Sequence, residues 1–300
     1  MYDGFLFSGI NLEKVLMWCC VTLSLIVANE LGRRCKWVAM LFFIVLPIVL
    51  PIVLWLPYTA TPGTGASTGT WFHWVKVYSA VAGCLGFMLI RYMTKEPPRW
   101  LLLFPPLILS VNILEACIRD LQVYGLHATG EVIDGVVMMS GPWNIMNAAA
   151  GILNILSISG WMGIRVSNDK SRDMLWPDMK WFWIIAYDLW NFAYVYNCVS
   201  DHAFYAGAAL LVSCTIPAFL IKRKAWLQHR AQTLALWMMF TMSVPMFVDS
   251  PRWGVASSHN PTALMVVSGV ALAANIVVFL YHCCRVVRLR RNPLKEEIYQ

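Results

Sequence analysis

The feature that most constrains this chain is a succession of nine apolar segments. Each is near the roughly 20 residues that an α-helix needs to cross a bilayer. The segments cover about residues 13–30, 37–57, 71–93, 100–118, 142–164, 179–201, 203–222, 229–249 and 261–284. The loops between them are too short for a soluble domain, so residues 1–300 are expected to form one transmembrane domain. The sequence therefore predicts an all-α fold, a polytopic membrane bundle of about nine transmembrane helices.

The distribution of positive charge predicts the orientation of this bundle. Lys and Arg cluster after the first, third, fifth, seventh and ninth segments. The clusters are Arg33, Arg34 and Lys36; Arg91, Lys95 and Arg99; Arg165, Lys170 and Arg172; Lys222, Arg223 and Lys224, with Arg230 at the start of the eighth segment; and the tail from Arg285. Because cytoplasmic loops carry an excess of Lys and Arg, we expect the N-terminus outside and the C-terminus in the cytoplasm.

Composition agrees with a chain surrounded by lipid. Hydrophobic residues make up 59% of the sequence and charged residues 13%, against about 25% charged residues in soluble domains. The net charge of +7 follows from the cytoplasmic clusters, so we predict the lipid bilayer as a partner and no nucleic acid.

The sixth segment, WFWIIAYDLWNFAYVYNCVSDH from Trp181, carries the most unusual pattern. Asp188 and Asn191 lie inside the apolar run, and Asp201 and His202 lie at its end. A carboxylate near the middle of a bilayer costs at least about 2.5 kcal/mol and usually faces protein or water. We therefore predict that this segment forms part of a functional site.

The fifth segment offers a complementary polar stripe. Asn144, Asn147 and Asn154 fall on one face of a helix, because their spacings are multiples of a helical turn. Amides in hydrocarbon need hydrogen-bond partners, and we expect Asp188 and Asn191 to be among them. In the fourth segment, Glu115 and Arg119 have the spacing of an ion pair within one helix. The loop that follows, from Arg119 to Gly141 and including Asp134, is expected to form a short surface helix or lid.

Together these residues predict an outward-facing pocket with a polar floor and aromatic walls. The expected binding residues are Asn144, Asn147, Asn154, Asp188, Asn191, Trp190 and Tyr194. Prolines in the second, seventh and eighth segments (Pro47, Pro51, Pro217 and Pro245) predict bent helices around such a pocket. The hypothesis that follows is a protein that binds or transports a small solute or amphiphile. The same asparagines could instead serve only to join helices.

Two other functions agree with the same residues. One is an intramembrane enzyme acting on a lipid or isoprenoid head group, with Asp188, Asp201, His202 and Glu115 as candidate catalytic residues. The other is a membrane scaffold or sensor without a substrate. No metal site is predicted, because Asp201 and His202 are adjacent and point apart on a helix, and the sequence names no cofactor.

Two stretches, WFHWVKVYSA from Trp71 and YDLWNFAYVYNC from Tyr187, resemble a family of bacterial multi-pass membrane proteins with no assigned activity. The resemblance covers most of the chain. It implies a bacterial inner-membrane location and supplies no catalytic residue.

The sequence leads to one specific prediction about Asp188. No Lys or Arg of the neighbouring segments is expected at its depth, so its partners would be neutral and a protonated carboxyl would be accessible. Asp188→Asn is then expected to fold and insert normally but to abolish function, because the amide cannot exchange a proton.

Overall fold

The computed structural model describes residues 4–61, 64–93, 97–133 and 135–299. When adjoining helical segments of any type are joined into one, these residues form nine helices of at least 15 residues. In chain order they are α1 Leu12–Arg34, α2 Lys36–Thr59, α3 Trp71–Tyr92, α4 Arg99–Leu126, α5 Pro142–Leu156, α6 Trp181–Cys198, α7 Ser200–Leu220, α8 Trp226–Ser243 and α9 Pro261–Leu289. Two short hairpins complete the secondary structure, β1 (Glu131–Ile133) with β2 (Val136–Met138) and β3 (Arg165–Val166) with β4 (Met174–Leu175).

Six helices of the described residues, α1, α2, α3, α4, α7 and α9, are long and apolar enough to cross a bilayer. The chain is therefore an integral membrane protein built as a helical bundle, as the hydropathy pattern predicts. Exposure separates the helices further. Only 22% of the apolar window of α2 is buried, whereas 67% of that of α7 is buried. Helix α2 thus turns most of its surface toward lipid, and α7 belongs to the interior.

Several helix boundaries differ from the predicted segments. Helix α4 continues to Leu126, past the charged pair Arg119 and Asp120, and the β1–β2 hairpin follows where a surface helix or lid was expected. Helix α5 ends at Leu156, eight residues early, because residues 157–164 form turns. Helix α8 ends at Ser243, so Pro245 begins a short helix, Met246–Asp249, and does not bend α8. Lys95, and Asp134 of the expected lid, lie outside the described residues.

The prolines of α2 have the effect expected from their chemistry. Proline lacks the amide hydrogen that would bond to the carbonyl four residues earlier, so Pro51 leaves the carbonyl of Pro47 without its helical donor. The Tyr78 hydroxyl of α3 donates to this carbonyl at 3.2 Å. Parts of α2 adopt the wider π-helical geometry, over Leu41–Val45 and Pro51–Thr59. The irregular helix is thus joined to α3 through a freed backbone group.

The long helices pack as two groups. Helix α5 lies between α4 and α9, and α6 packs on α4, α5 and α9. Helix α8 packs on α3, α7 and α1. Glycine permits the closest approach in the first group, since a Cβ on Gly151 would lie 2.4 Å from Cys117 Sγ and 2.7 Å from Trp190 Nε1. A cavity remains where α3, α4, α6, α7 and α8 meet.

The two ends of the bundle contain different polar clusters. We call one of them the Asp173 end. There the termini of α1 and α3 meet the loop between α5 and α6, and Arg33 Nη1 lies 2.7 Å from Asp173 Oδ2. At the other end, named after His202, the loops α2–α3, α6–α7 and α8–α9 meet. Residues that sequence assigns to the cytoplasmic side thus gather at the Asp173 end, as alternating helices require.

Candidate functional site: a cavity between five helices

An internal cavity of about 110 Å³ lies between α3, α4, α6, α7 and α8. Its lining extends along α3 from His73 to Phe87, a distance of about 21 Å at the rise of an α-helix. Much of the wall is apolar, formed by side chains such as Leu109, Leu234 and Met238. The space exceeds what one water molecule needs, and it approaches the cavity of about 150 Å³ that holds benzene in another protein.

Two cationic side chains line this cavity. Lys76 of α3 is 8% exposed, and Arg230 of α8 is 6% exposed. Lys76 Nζ lies 3.0 Å from Glu115 Oε2 of α4, so Glu115 pairs with Lys76 across the two helices. The expected pairing of Glu115 with Arg119 is therefore not formed, and the guanidinium of Arg119 lies instead 6.0 Å from the ring centre of Phe72.

Arg230 is bound only by neutral groups. Its Nε donates to the Tyr187 hydroxyl at 3.3 Å, and its Nη2 donates to Asn191 Oδ1 at 3.0 Å. Its third nitrogen, Nη1, is buried and has no hydrogen-bond partner. Asn191, one of the predicted binding residues, thus lines the cavity and orients an arginine that the sequence analysis assigned to the membrane surface.

The His202 end forms a second, wider cavity of about 390 Å³, lined by Asp201, His202 and Asp249. His202 lines both cavities and therefore lies between them. Its Nε2 is 3.0 Å from Ser67 Oγ, and Ser67 Oγ also donates to Asp249 Oδ1. Burial opposes the charged form of Asp249, but the nearby His202 and the hydrogen bonds from Ser67 hold its pKa below the usual range of an aspartate.

Ser67, His202 and Asp249 have the composition of a nucleophilic triad but a different geometry. In a triad the carboxylate accepts a hydrogen bond from the imidazole nitrogen that faces away from the serine. Here Asp249 Oδ1 contacts Ser67 Oγ directly and lies 3.9 Å from His202 Nε2, the same nitrogen that faces the serine. A serine that donates to a carboxylate is held in place and is not activated for attack.

Asp201 takes part in a separate interaction at the same end. Its Oδ1 lies 2.8 Å from His259 Nε2 and accepts the backbone amide of Ser257 at 3.2 Å. The hydrogen bond and the negative charge of Asp201 raise the pKa of His259 above its ordinary value. Asp201 and His202, although adjacent, thus face different partners, as their positions predict.

The asparagine stripe of α5 faces away from the cavity. Asn144 Nδ2 and Asn147 Nδ2 donate to the two oxygens of Asp120, at 3.0 and 2.8 Å. Asp120 is fully buried and also accepts the Cys198 thiol at 3.3 Å. Asn154 Nδ2 donates to Asn275 Oδ1 of α9 at 2.9 Å. The stripe does need partners, as predicted, but the structure gives it Asp120 and Asn275 in place of Asp188 and Asn191.

Asp188 lies beside the cavity but does not line it. Its Oδ2 accepts the Thr215 hydroxyl of α7 at 2.7 Å, and its buried Oδ1 has no partner. The expectation that no arginine reaches this depth is wrong, because Arg230 is buried close enough to Asp188 for the two charges to attract. Neither Asn191 nor Asn154 bonds to Asp188 among the described contacts; Thr215 does.

The aromatic residues of α6 divide between two roles. Tyr187 and Tyr194 line the cavity, and the buried Tyr194 hydroxyl has no hydrogen-bond partner. Trp190 stacks on Tyr194 with 6.2 Å between ring centres, and its Nε1 donates to the carbonyl of Asn147 at 3.1 Å. Trp190 therefore supports the wall from behind.

Sequence reasoning missed three residues of these sites: Arg230, Lys76 as a lining cation, and Ser67. Arg230 lies four residues inside α8, which is a weak signal of burial, because a surface-bound arginine would more often precede the apolar run. Lys76 is inside an apolar segment, which is a stronger signal. Ser67 lies in a Gly- and Thr-rich loop and carries none.

The fold and the cavity define a polytopic α-helical membrane protein with a charged internal cavity. More particularly, the chain belongs to the family described as "Family of unknown function (DUF5692)", whose model matches residues 8–300. The resemblance of the Trp71 and Tyr187 stretches to a family without an assigned activity is thereby confirmed. No curated protein and no solved structure matches the chain.

Proposed function

We propose that the protein binds a small solute or amphiphile in the cavity between α3, α4, α6, α7 and α8 and carries it across the membrane. The observation that carries the proposal is the buried Arg230, which lines this cavity and whose Nη1 has no hydrogen-bond partner among the described residues. A buried ion without compensation is destabilising by several kcal/mol, so a fold that keeps one usually uses it for a ligand.

The proposed topology places the wider cavity outside. All nine long helices would span the membrane, with the N-terminus outside and the C-terminus in the cytoplasm, and in a bacterium this would be the inner membrane. The segregation of Arg33, Arg91 and Lys222 around Asp173 supports this orientation through the positive-inside rule. Cysteine labelling tests it: Thr64→Cys should react with an impermeant reagent, whereas Lys170→Cys should react only after permeabilisation.

The access route would pass the Ser67–His202–Asp249 cluster, since His202 faces both cavities. A change in these hydrogen bonds would open or close the connection. The cluster thus supports a gate more than it supports covalent catalysis.

Gly83 allows a direct test of the cavity. It lines the cavity, and a Cβ at this position would meet its nearest neighbours at 3.8 to 4.0 Å, which is ordinary contact. Gly83→Leu should therefore fill the space without removing a polar group. The matched control is Gly125→Leu, because Gly125 lies on an exposed part of α4 with no atom within 4 Å of its Cβ position.

The measurement is mass spectrometry of small molecules extracted from detergent-purified protein. We expect wild type and Gly125→Leu to carry the same bound compound, and Gly83→Leu to have lost it while keeping the circular-dichroism spectrum of wild type. Equal contents in all three proteins, or a compound bound by none, would refute the proposal.

A further inference from the structure

The charges around the cavity identify the kind of ligand. Lys76 has a carboxylate partner, Glu115. Arg230 has none, because no ion pair joins its guanidinium to any carboxylate of the described residues, and its two bonded nitrogens meet a hydroxyl and an amide oxygen. The lining therefore holds one positive charge that no contact neutralises.

Asp188 is the nearest candidate to balance this charge and does so only at a distance. Its bonded oxygen is turned toward Thr215, and the side chain does not line the cavity. Arg230 Nη1 thus has no hydrogen-bond partner among the described residues, and the Arg230 side chain lines the cavity. The attraction between Arg230 and Asp188 explains how the arginine is tolerated when no ligand is bound. It also predicts that the negative charge of Asp188 weakens the binding of any anion to Arg230.

The rest of the lining describes the body of the ligand. The Tyr194 hydroxyl is a second buried polar group without a partner in this cavity. The lining of this cavity also includes aromatic and aliphatic side chains, among them Phe87, Leu234 and Trp237. A polar group attached to an apolar body would match these surfaces, as in most small-molecule sites.

We propose, building on the binding function proposed above, that the ligand is a small organic carboxylate with an apolar body, whose anionic group pairs with Arg230 Nη1. One unneutralised cation matches one negative charge, and the planar guanidinium suits a carboxylate geometrically. The carboxylate would come from a free solute or from a fatty acid of the bilayer, and these sources share the same chemistry at Arg230.

Pairs of ligands that differ only in charge test this proposal on the wild-type protein. The purified protein in a neutral detergent is titrated at pH 7.5 with phenylacetate and phenylacetamide, with octanoate and octanamide, and with palmitate. Binding is followed by calorimetry and by thermal unfolding. At least one acid should bind 10-fold or more tightly than its amide. Binding of phenylacetate or octanoate would indicate a free solute, and binding of palmitate alone would indicate a bilayer source.

Two variants should change the affinity of the bound acid in opposite directions. Arg230→Gln should reduce the ratio of acid to amide affinity to about one. Asp188→Asn should raise the acid affinity severalfold, because the competing negative charge is lost while an amide oxygen can still accept from Thr215. The loss of proton exchange expected for Asp188→Asn concerns transport and not this binding measurement. Arg252→Gln is the control, since Arg252 is exposed and its guanidinium lies over Trp253.

The results separate this inference from the proposed function. If amides bind as tightly as acids and Gly83→Leu abolishes the binding of both, the cavity is a binding site but the ligand is not an anion. If no acid binds wild type, or if Arg230→Gln leaves the acid preference intact, the assignment of Arg230 to a carboxylate is wrong. If Gly83→Leu and wild type also carry the same extracted compounds, the binding function itself fails.

Discussion

Two buried arginines, Arg91 at the Asp173 end and Arg230 in the cavity, show how similar side chains serve different purposes. Arg91 is fully buried, lies 3.7 Å from Asp173 and donates to the carbonyl oxygens of Arg33, Ser171 and Arg172. Its Nη1 also lacks a partner, but Arg91 lines neither of the two cavities described above. Arg230 has no carboxylate contact and faces an open space.

The difference teaches how to separate structural from functional charge in a membrane protein. At the Asp173 end the carboxylate is the centre: Arg33 and Gln228 donate to it, at 2.7 and 2.9 Å. Burial opposes the charge of Asp173, yet hydrogen bonds from Ser171 and Gln228 and the charges of Arg33 and Arg91 hold its pKa below its ordinary value. A charge that its own fold compensates stabilises the fold, and a charge left for a cavity is available to a ligand.

The largest effect is expected from breaking the Asp173 cluster. Asp173→Ala would leave the buried Arg91 without its carboxylate and Arg33 with Glu30 alone, which costs about 3–5 kcal/mol of unfolding free energy. Unfolding by a denaturing detergent measures this loss. Asp169→Ala is the control from the same loop, because Asp169 is half exposed and pairs with Lys222, an arrangement worth about 0–1 kcal/mol. Equal losses in the two variants would show that the cluster does not support the fold.

A smaller effect is expected from removing the charge of Arg230. Arg230→Met breaks no ion pair, and removing a buried charge that has no carboxylate contact offsets part of the cost of its two lost hydrogen bonds, so ligand-free protein should lose less than the value of about 3–5 kcal/mol expected for a broken buried ion pair. Arg33→Met, which does break an ion pair with Asp173, should be several times worse. If the two substitutions are equally destabilising in the same unfolding assay, Arg230 is a structural cation and the contrast between the two ends disappears.

The smallest effect concerns pH at the His202 end. Because the folded pKa of His259 is raised, protonation stabilises the fold: the contribution is complete below the unfolded pKa of about 6.5 and is lost as pH rises through the folded pKa. The unfolding free energy should therefore fall between about pH 6 and pH 8 by about 0.2–1 kcal/mol, the value typical of a partly exposed ion pair. Melting temperatures in detergent should show this loss as a slight decrease over the same pH range. His259→Asn should flatten this part of the curve. An unchanged slope in that variant would assign the pH dependence to another group.

Hydropathy and charge predicted the bundle well because both depend on composition along the chain. Each of the nine segments overlaps a helix of the described residues, and six of these helices are long and apolar enough to cross a bilayer. The pairing of polar side chains was predicted poorly, because it depends on which helices are neighbours. Asn144 and Asn147 bond to Asp120, which was placed outside the fourth segment only because charged residues follow its apolar run. Arg230 was assigned to the surface for the same reason.

The shortness of α5 has a consequence for the surrounding lipid. Its 15 residues span about 22 Å, whereas the neighbouring α4 and α9, of 28 and 29 residues, span about 42 and 43 Å. Its outward side chains Ile145, Ile152 and Leu156 are apolar and 41–55% exposed, so this flank offers acyl chains less apolar length than the approximately 30 Å hydrocarbon core. A bilayer relieves such a mismatch by thinning beside the short helix. Under the nine-helix topology proposed above, bilayer thickness therefore becomes a variable that acts on the α4–α5–α9 side of the molecule.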